Sequence, residues 1–93
     1  MADRPEKSDA DLMREAKVRP RVFGEIFERH APTIYQWLKR RAPELASDLT
    51  AETFSQAWFT RRGFHPESEG SAFPWLPGIA RNLLRQSMRK KRV

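Results

Sequence analysis

Apolar residues recur along the chain at spacings of three and four, which is the period of an amphipathic α-helix, and no window alternates as a strand would. The pattern predicts an all-α fold, a small bundle of three to four helices with an exposed loop before the last one. Residues 8–18 carry a short apolar stripe behind Ser8 or Asp9 as candidate N-cap, so this segment is either a short helix or a frayed one. We expect residues 1–18 to be an N-terminal segment and residues 19–93 to form the domain.

Pro20 predicts the start of a second helix, because proline is favoured in the first helical turn. The apolar positions of this helix are Val22, Phe23, Ile26, Phe27, Ile34, Tyr35, Trp37 and Leu38. Pro32 interrupts the pattern and predicts a kink or break near His30 and Ala31, because proline lacks the backbone donor and clashes with the preceding turn. The basic residues 39–41 and then Pro43 predict the end of the helix.

A third helix is predicted over residues 47–62, with Ser47 as N-cap and Gly63 as the C-terminal stop. Residues 64–72 combine proline, glycine, serine and two acids, which predicts an exposed loop. The last helix should run from residue 73 or 74 to about residue 91. Its apolar side consists of Leu76, Ile79, Ala80 and Leu83, together with Ser87.

The aromatic residues around this loop are individually more typical of a hydrophobic core than of a surface that stacks on nucleic-acid bases. They are Phe54, Trp58, Phe59, Phe64, Phe73 and Trp75.

The net charge of +6 is concentrated at the C-terminal end. Residues 1–77 contain 12 Lys or Arg and 12 Asp or Glu, whereas residues 78–93 contain no acid. The basic residues there are Arg81, Arg85, Arg89, Lys90, Lys91 and Arg92. The three at four-residue intervals would form one ridge on a helix. Such a ridge favours phosphate binding, although a solvated charge run would have the same composition.

Residues that catalysis or metal binding would need are scarce. There is no cysteine, the histidines are His30 and His65 alone, and the four glycines are too scattered for a phosphate-binding loop. We therefore expect no enzyme activity, no metal site and no cofactor. The polar N-terminus and the lack of a run of roughly 20 apolar residues favour a cytoplasmic protein without a membrane partner.

Asp48 and Glu52 lie four residues apart, so both carboxylates are predicted on one exposed side at the start of the third helix. The helix macrodipole stabilises such acids by roughly 0.3–1 kcal/mol, so their spacing alone favours a purely structural role.

Two motifs give the chain a resemblance to a known family. Residues 48–58 read DLTAETFSQAW, and residues 64–82, FHPESEGSAFPWLPGIARN, precede the basic tail. In this order they closely resemble region 2 of the extracytoplasmic-function (ECF) branch of the sigma-70 family, from about Phe23 to the C-terminus. The resemblance implies a non-enzymatic domain that binds RNA polymerase core and promoter DNA and aids transcription initiation.

In that family the helix matching residues 48–58 docks on the coiled-coil clamp of the polymerase β′ subunit. The resemblance therefore implies clamp contacts for Asp48, Glu52 and Ser55. Complementary charge would steer the encounter and fix its register. Ala51 stands where the family usually has a glutamine, so one polar contact with the clamp is missing.

The family's loop and the following helix capture a base flipped from the non-template strand of the minus-ten promoter element. The implied base contacts are Phe64, His65, Ser71 and Asn82. The implied phosphate contacts, which position the strand without reading it, are Arg81, Arg85, Arg89 and Lys90. Two departures fall on this helix. Pro77 can tilt its start, and Gln86 replaces a common aspartate and so makes the helix more basic.

Nothing in the sequence resembles region 4, which reads the minus-thirty-five element, so we expect region 2 without region 4. The resemblance adds an anti-sigma factor as a candidate partner, although no motif here marks one. Two other functions stay open. One is a stand-alone basic helical protein that binds duplex DNA, and the other is a C-terminal amphipathic helix that binds a membrane surface or a partner.

Overall fold

The structure, a computed structural model, describes residues 7–63 and 75–92. Within these residues the chain forms four α-helices and no β-strand, which confirms the predicted all-α bundle. The helices are α1 (Asp9–Ala16), α2 (Phe23–Arg41), α3 (Ala46–Phe59) and α4 (Trp75–Arg92), with short 3-10 helices at Pro20–Val22 and Arg61–Gly63. No helix of the described residues is long and apolar enough to span a membrane.

The first helix begins as its sequence predicts. The Ser8 hydroxyl accepts a hydrogen bond from the Asp11 amide at 3.1 Å and so caps the helix N-terminus. Leu12, Met13 and Ala16 are buried in the common core, so α1 packs on the bundle. The boundary between an N-terminal segment and a domain at residues 18 and 19 stays a prediction.

The contact between α1 and α2 includes a buried carboxylate. Asp9 is only 7 % exposed. Its Oδ1 accepts a hydrogen bond from Arg29 Nη1 at 2.9 Å, and its Oδ2 lies 2.8 Å from His30 Nε2. Because a buried charge is tolerated only when it is paired, this cluster fixes the position of α1 against α2.

Surface pairs also support α1. The hydrogen bond that Arg14 donates to Asp11 lowers the pKa of Asp11, and the Ser8 hydroxyl lowers it further. The hydrogen bond from Lys7 lowers the pKa of Glu15. Both carboxylates therefore support the helix while they are ionised, and this support is lost as the pH falls through their folded-state pKa values.

The second helix continues through Pro32 without a break, so the break that was one of the two predicted alternatives near His30 and Ala31 is wrong, whereas the kink stays a prediction. Pro32 is exposed, and so is Glu28, whose carbonyl loses its helical partner when residue 32 has no amide hydrogen. Water can satisfy that carbonyl on the outer side. On the inner side Ile26, Ile34 and Leu38 remain buried on one face, and their packing holds the helix together.

The third helix begins without a side-chain cap, so the prediction of Ser47 as N-cap is wrong. The N-cap residue is Leu45, which follows a turn in which Leu45 N donates to Ala42 O at 2.9 Å and Ala46 N to Pro43 O at 3.5 Å. A serine N-cap at position 47 would accept from the amide of residue 49 or 50, but the amide of Leu49 already donates to Leu45 O at 2.9 Å within the helix. The helix starts at Ala46 and Asp48 lies in its first turn.

The third helix ends at Phe59, three residues before the predicted end. The amide and the hydroxyl of Thr60 both donate to Gln56 O, at 2.9 and 2.8 Å. Arg61 donates to Trp58 O at 2.6 Å, so carbonyls of the last turn are satisfied before Gly63 is reached.

The third helix lies against both α2 and α4, and its inner face is buried. The buried residues of this face are Leu49, Thr53, Phe54 and Ala57. Two edge-to-face aromatic pairs join it to α2, Phe23 with Trp58 at 5.4 Å between ring centroids and Phe27 with Phe54 at 4.9 Å. Helix α4 adds Leu76, Ala80 and Leu83 to the same core.

We expect Ser8→Ala to lower the free energy of unfolding by about 0.5–2 kcal/mol, because it removes the cap of α1. Ser47→Ala should change this free energy by less than about 0.5 kcal/mol, because Ser47 is exposed and lies within the helix. Urea unfolding followed by circular dichroism measures both values. Equal losses, or a larger loss for Ser47→Ala, would contradict these cap assignments.

Candidate functional site

An acidic stripe runs along the outer face of α3. Asp48, Glu52 and Ser55 are all exposed, and their spacings of four and three residues bring them to one side of the helix. Among the described residues neither carboxylate has a salt-bridge partner. The acidic stripe, defined by these three residues, therefore presents uncompensated negative charge to solvent.

The backbone beneath the acidic stripe is held by buried threonines. The Thr50 hydroxyl donates to Ala46 O and the Thr53 hydroxyl to Leu49 O, each at 2.7 Å. Both hydroxyls are satisfied within the helix, so these side chains can be buried without an unpaired polar group. The acidic side chains thus stand on a helix whose opposite face is fixed in the core.

Sequence reasoning missed Phe59 on this surface. Phe59 was expected in the core, but it is 79 % exposed, so that expectation is wrong. It lies four residues after Ser55 and continues the stripe. The spacing of positions 48, 52, 55 and 59 could have revealed this exposure, because it places Phe59 on the same side of the helix as the acids. Phe54 is buried as expected, and Trp58 packs partly against the core beneath the Arg61 guanidinium, 3.6 Å from its ring centroid.

A basic ridge lies on α4. Its members Arg81, Arg85 and Arg89 are all exposed, at the predicted spacing of four residues. Asn82 and Lys90 are exposed on the same helix, so both side chains are accessible to a ligand. The described helix contains no acidic residue. The remaining predicted base contacts, Phe64, His65 and Ser71, lie outside the described residues.

A groove separates the C-terminal half of α2 from α4. It has a volume of about 480 Å³ and is lined by Trp37, Arg41, Arg81, Leu84, Arg85 and Met88. The Arg41 guanidinium lies 4.1 Å from the centroid of the Trp37 ring, and its Nη1 donates to Trp37 O at 3.2 Å. The basic ridge thus borders an arginine and an aromatic ring from another helix, at positions where the sequence predicts only a helix end and an apolar position.

Comparison with known proteins agrees with the motifs. The family model of sigma-70 region 2 matches residues 26–93. The chain is also similar to the RNA polymerase sigma factor CarQ of Myxococcus xanthus, with 38 % identity over 74 residues. That match covers 76 % of this chain and 41 % of CarQ, so the chain spans less than half the length of this relative. No solved structure matches.

Proposed function

Because this chain belongs to the sigma-70 region 2 family, we propose that it docks on RNA polymerase core and binds the minus-ten element as part of an ECF-type sigma factor. The observation that carries the proposal is the separation of charge between two exposed helix faces. The acidic stripe of α3 has no cationic partner among the described residues, and the basic ridge of α4 has no acid on its helix. One face fits a basic protein surface and the other fits phosphates.

Docking is assigned to the acidic stripe, with the basic coiled-coil clamp of the β′ subunit as partner. Asp48 and Glu52 supply charges that steer the encounter, and Ser55 adds a hydroxyl one turn further on. Ala51, which is exposed beside them, offers no polar contact. The exposed ring of Phe59 supplies apolar area at the end of the same stripe. In this proposal the apolar contact of Phe59 with the clamp compensates in part for the polar contact that Ala51 cannot make.

DNA binding is assigned to α4 and the residues that precede it. The amide of Asn82 can both donate to and accept from a base edge, and its exposure leaves it accessible to a flipped base. Arg81, Arg85, Arg89 and Lys90 bind backbone phosphates of the non-template strand. Phe64, His65 and Ser71 complete the base site in this proposal.

The proposed activity is non-enzymatic and belongs to the bacterial cytoplasm, where core polymerase meets the promoter. An anti-sigma factor is a further proposed partner. Duplex binding without polymerase is the principal competing function. It would use the same arginines but would leave the acidic stripe without a role, which favours the sigma function.

We expect the double variant Asp48→Lys with Glu52→Lys to weaken binding to core polymerase by several-fold or more at low salt, because like charges would then meet at the clamp. The matched control is Glu25→Lys with Glu28→Lys. These acids are also exposed, and Glu25, in the first turn of α2, lies 4.0 Å from Arg29, so the control makes the same charge change on another helix and in addition removes one weak surface pair. Affinity is measured by titrating labelled chain with core polymerase.

The docking proposal requires the α3 variant to lose much more affinity than the α2 control while both keep their helix content. Equal losses would indicate a general effect of charge. Unchanged affinity of a folded α3 variant would sink the docking proposal, and a chain that never bound polymerase but retained duplex DNA would favour the competing function.

We expect Asn82→Ala to cost about 1–3 kcal/mol of discrimination between the preferred minus-ten base and other bases, the scale of one good base contact. Arg85→Ala should weaken all sequences alike and flatten the salt dependence of binding by roughly one unit of slope, because it removes one phosphate contact. Fluorescence anisotropy with single-stranded minus-ten oligonucleotides measures both effects at several salt concentrations, with core polymerase present.

These two variants are each other's controls, because both residues are exposed on α4 and lie three residues apart. Loss of affinity for every oligonucleotide alike in Asn82→Ala, or a changed base preference in Arg85→Ala, would show that the roles along this helix are assigned wrongly.

A further inference from the structure

The groove between α2 and α4 combines features that single-stranded DNA requires. We infer that it binds one nucleotide of the strand beyond the captured minus-ten base, with the base against Trp37, Leu84 and Met88 and the flanking phosphates on the arginines. This inference rests on the proposed function, because the strand is delivered by the basic ridge. It adds residues of α2, in particular Trp37 and Arg41, to a DNA surface otherwise assigned to α4.

The charge of the groove favours an anionic ligand. Arg41 comes from α2, whereas Arg81 and Arg85 come from α4, and no acid lines the groove. Among the described residues none of the three guanidinium groups has a salt-bridge partner. Repulsion among them is relieved when a phosphate enters, and the guanidinium fork can bind phosphate oxygens in pairs.

The wall of the groove favours a ligand that also has an aromatic face. Trp37, Leu84 and Met88 are each half-buried, so they offer apolar area that remains accessible. The Arg41 guanidinium already lies over the Trp37 ring at 4.1 Å. Stacking on aromatic rings and on arginine planes is the usual way in which proteins hold unpaired bases.

Continuity with the basic ridge identifies the ligand as a single strand. Arg81 and Arg85 belong to both the ridge and the groove, so a strand held by the ridge reaches the groove without leaving the protein surface. A duplex would use the arginines but would leave the apolar wall unused, because its bases are stacked with one another. An acidic peptide could complement the positive charge of the groove, but it does not carry an aromatic ring on every unit as a DNA strand does.

The test uses the full 93-residue chain and two fluorescent probes of about twelve nucleotides, oligothymidylate and an abasic strand of equal length. Both probes carry the same phosphates, and only the first carries bases. We expect Arg41→Gln to weaken binding of oligothymidylate about fivefold or more. Trp37→Leu should reduce the preference for oligothymidylate over the abasic strand by a similar factor, because one stacked base is lost.

Arg40→Gln is the matched control. Arg40 is exposed on the same turn and its loss removes the same charge, but it lines a neighbouring pocket with Pro32, Thr33 and Gln36, which shares only Trp37 with the groove. The inference predicts that Arg41→Gln weakens binding at least about threefold more than Arg40→Gln, since only Arg41 makes a local phosphate contact. Equal losses in the two variants would overturn the inference.

The wild-type chain separates this inference from the proposed function. Suppose that the wild-type chain binds core polymerase and single strands, but Arg41→Gln loses no more affinity than Arg40→Gln. The groove is then not a nucleotide site, whereas the proposed function stands. If the wild-type chain prefers the matching duplex to oligothymidylate and does not bind polymerase, both fail. Because Arg41→Gln changes an exposed side chain, the comparison holds even if Trp37→Leu proves unstable.

Discussion

Burial of the inner face of α3 between α2 and α4 is the constraint on which the rest of the structure depends. Leu49, Phe54 and Ala57 fill the space between the helices, and each large apolar side chain buried there contributes about 1.5–3 kcal/mol. Thr53 is buried among them because its hydroxyl is satisfied by the Leu49 carbonyl. With this face fixed, the acids at 48 and 52 project outwards, and α4 is held with its arginines in solvent.

Charge is distributed in a way that local stability alone does not explain. Arginines repeated every four residues on α4 repel one another, at a cost of roughly 0.2–0.5 kcal/mol for each pair, and no acid on the helix relieves this. The acids of α3 are similarly left without cationic partners among the described residues. By contrast Asp9, which helps to hold α1 in place, is paired with Arg29 and His30. Paired charges support the fold here, whereas the unpaired ones suit contacts with other molecules.

Helical periodicity predicted the bundle, the apolar side of α4, and the exposure of Asp48, Glu52 and the arginine ridge. Predictions from periodicity were wrong where backbone geometry or the exposure of a residue determined whether a helix continued or where it began. Pro32 lies on the solvent side of α2, where losing one hydrogen bond is tolerated. The third helix starts before Ser47, so the amide of Leu49 already has an acceptor in the helix backbone. The groove could not be predicted, because residues 37–41 and 81–88 meet only through the packing of α2 and α4.

One helical unit that joins core polymerase to an unpaired DNA strand through two different faces is the arrangement that we propose. Its most direct test is whether this chain allows core polymerase to retain a labelled single-stranded minus-ten oligonucleotide on a native gel or in size-exclusion chromatography. We expect a ternary complex that forms with the non-template strand and much less with its complement, and only when the chain is present. Retention that does not depend on the chain, or a chain that binds the oligonucleotide but never enters a complex with polymerase, would contradict the account.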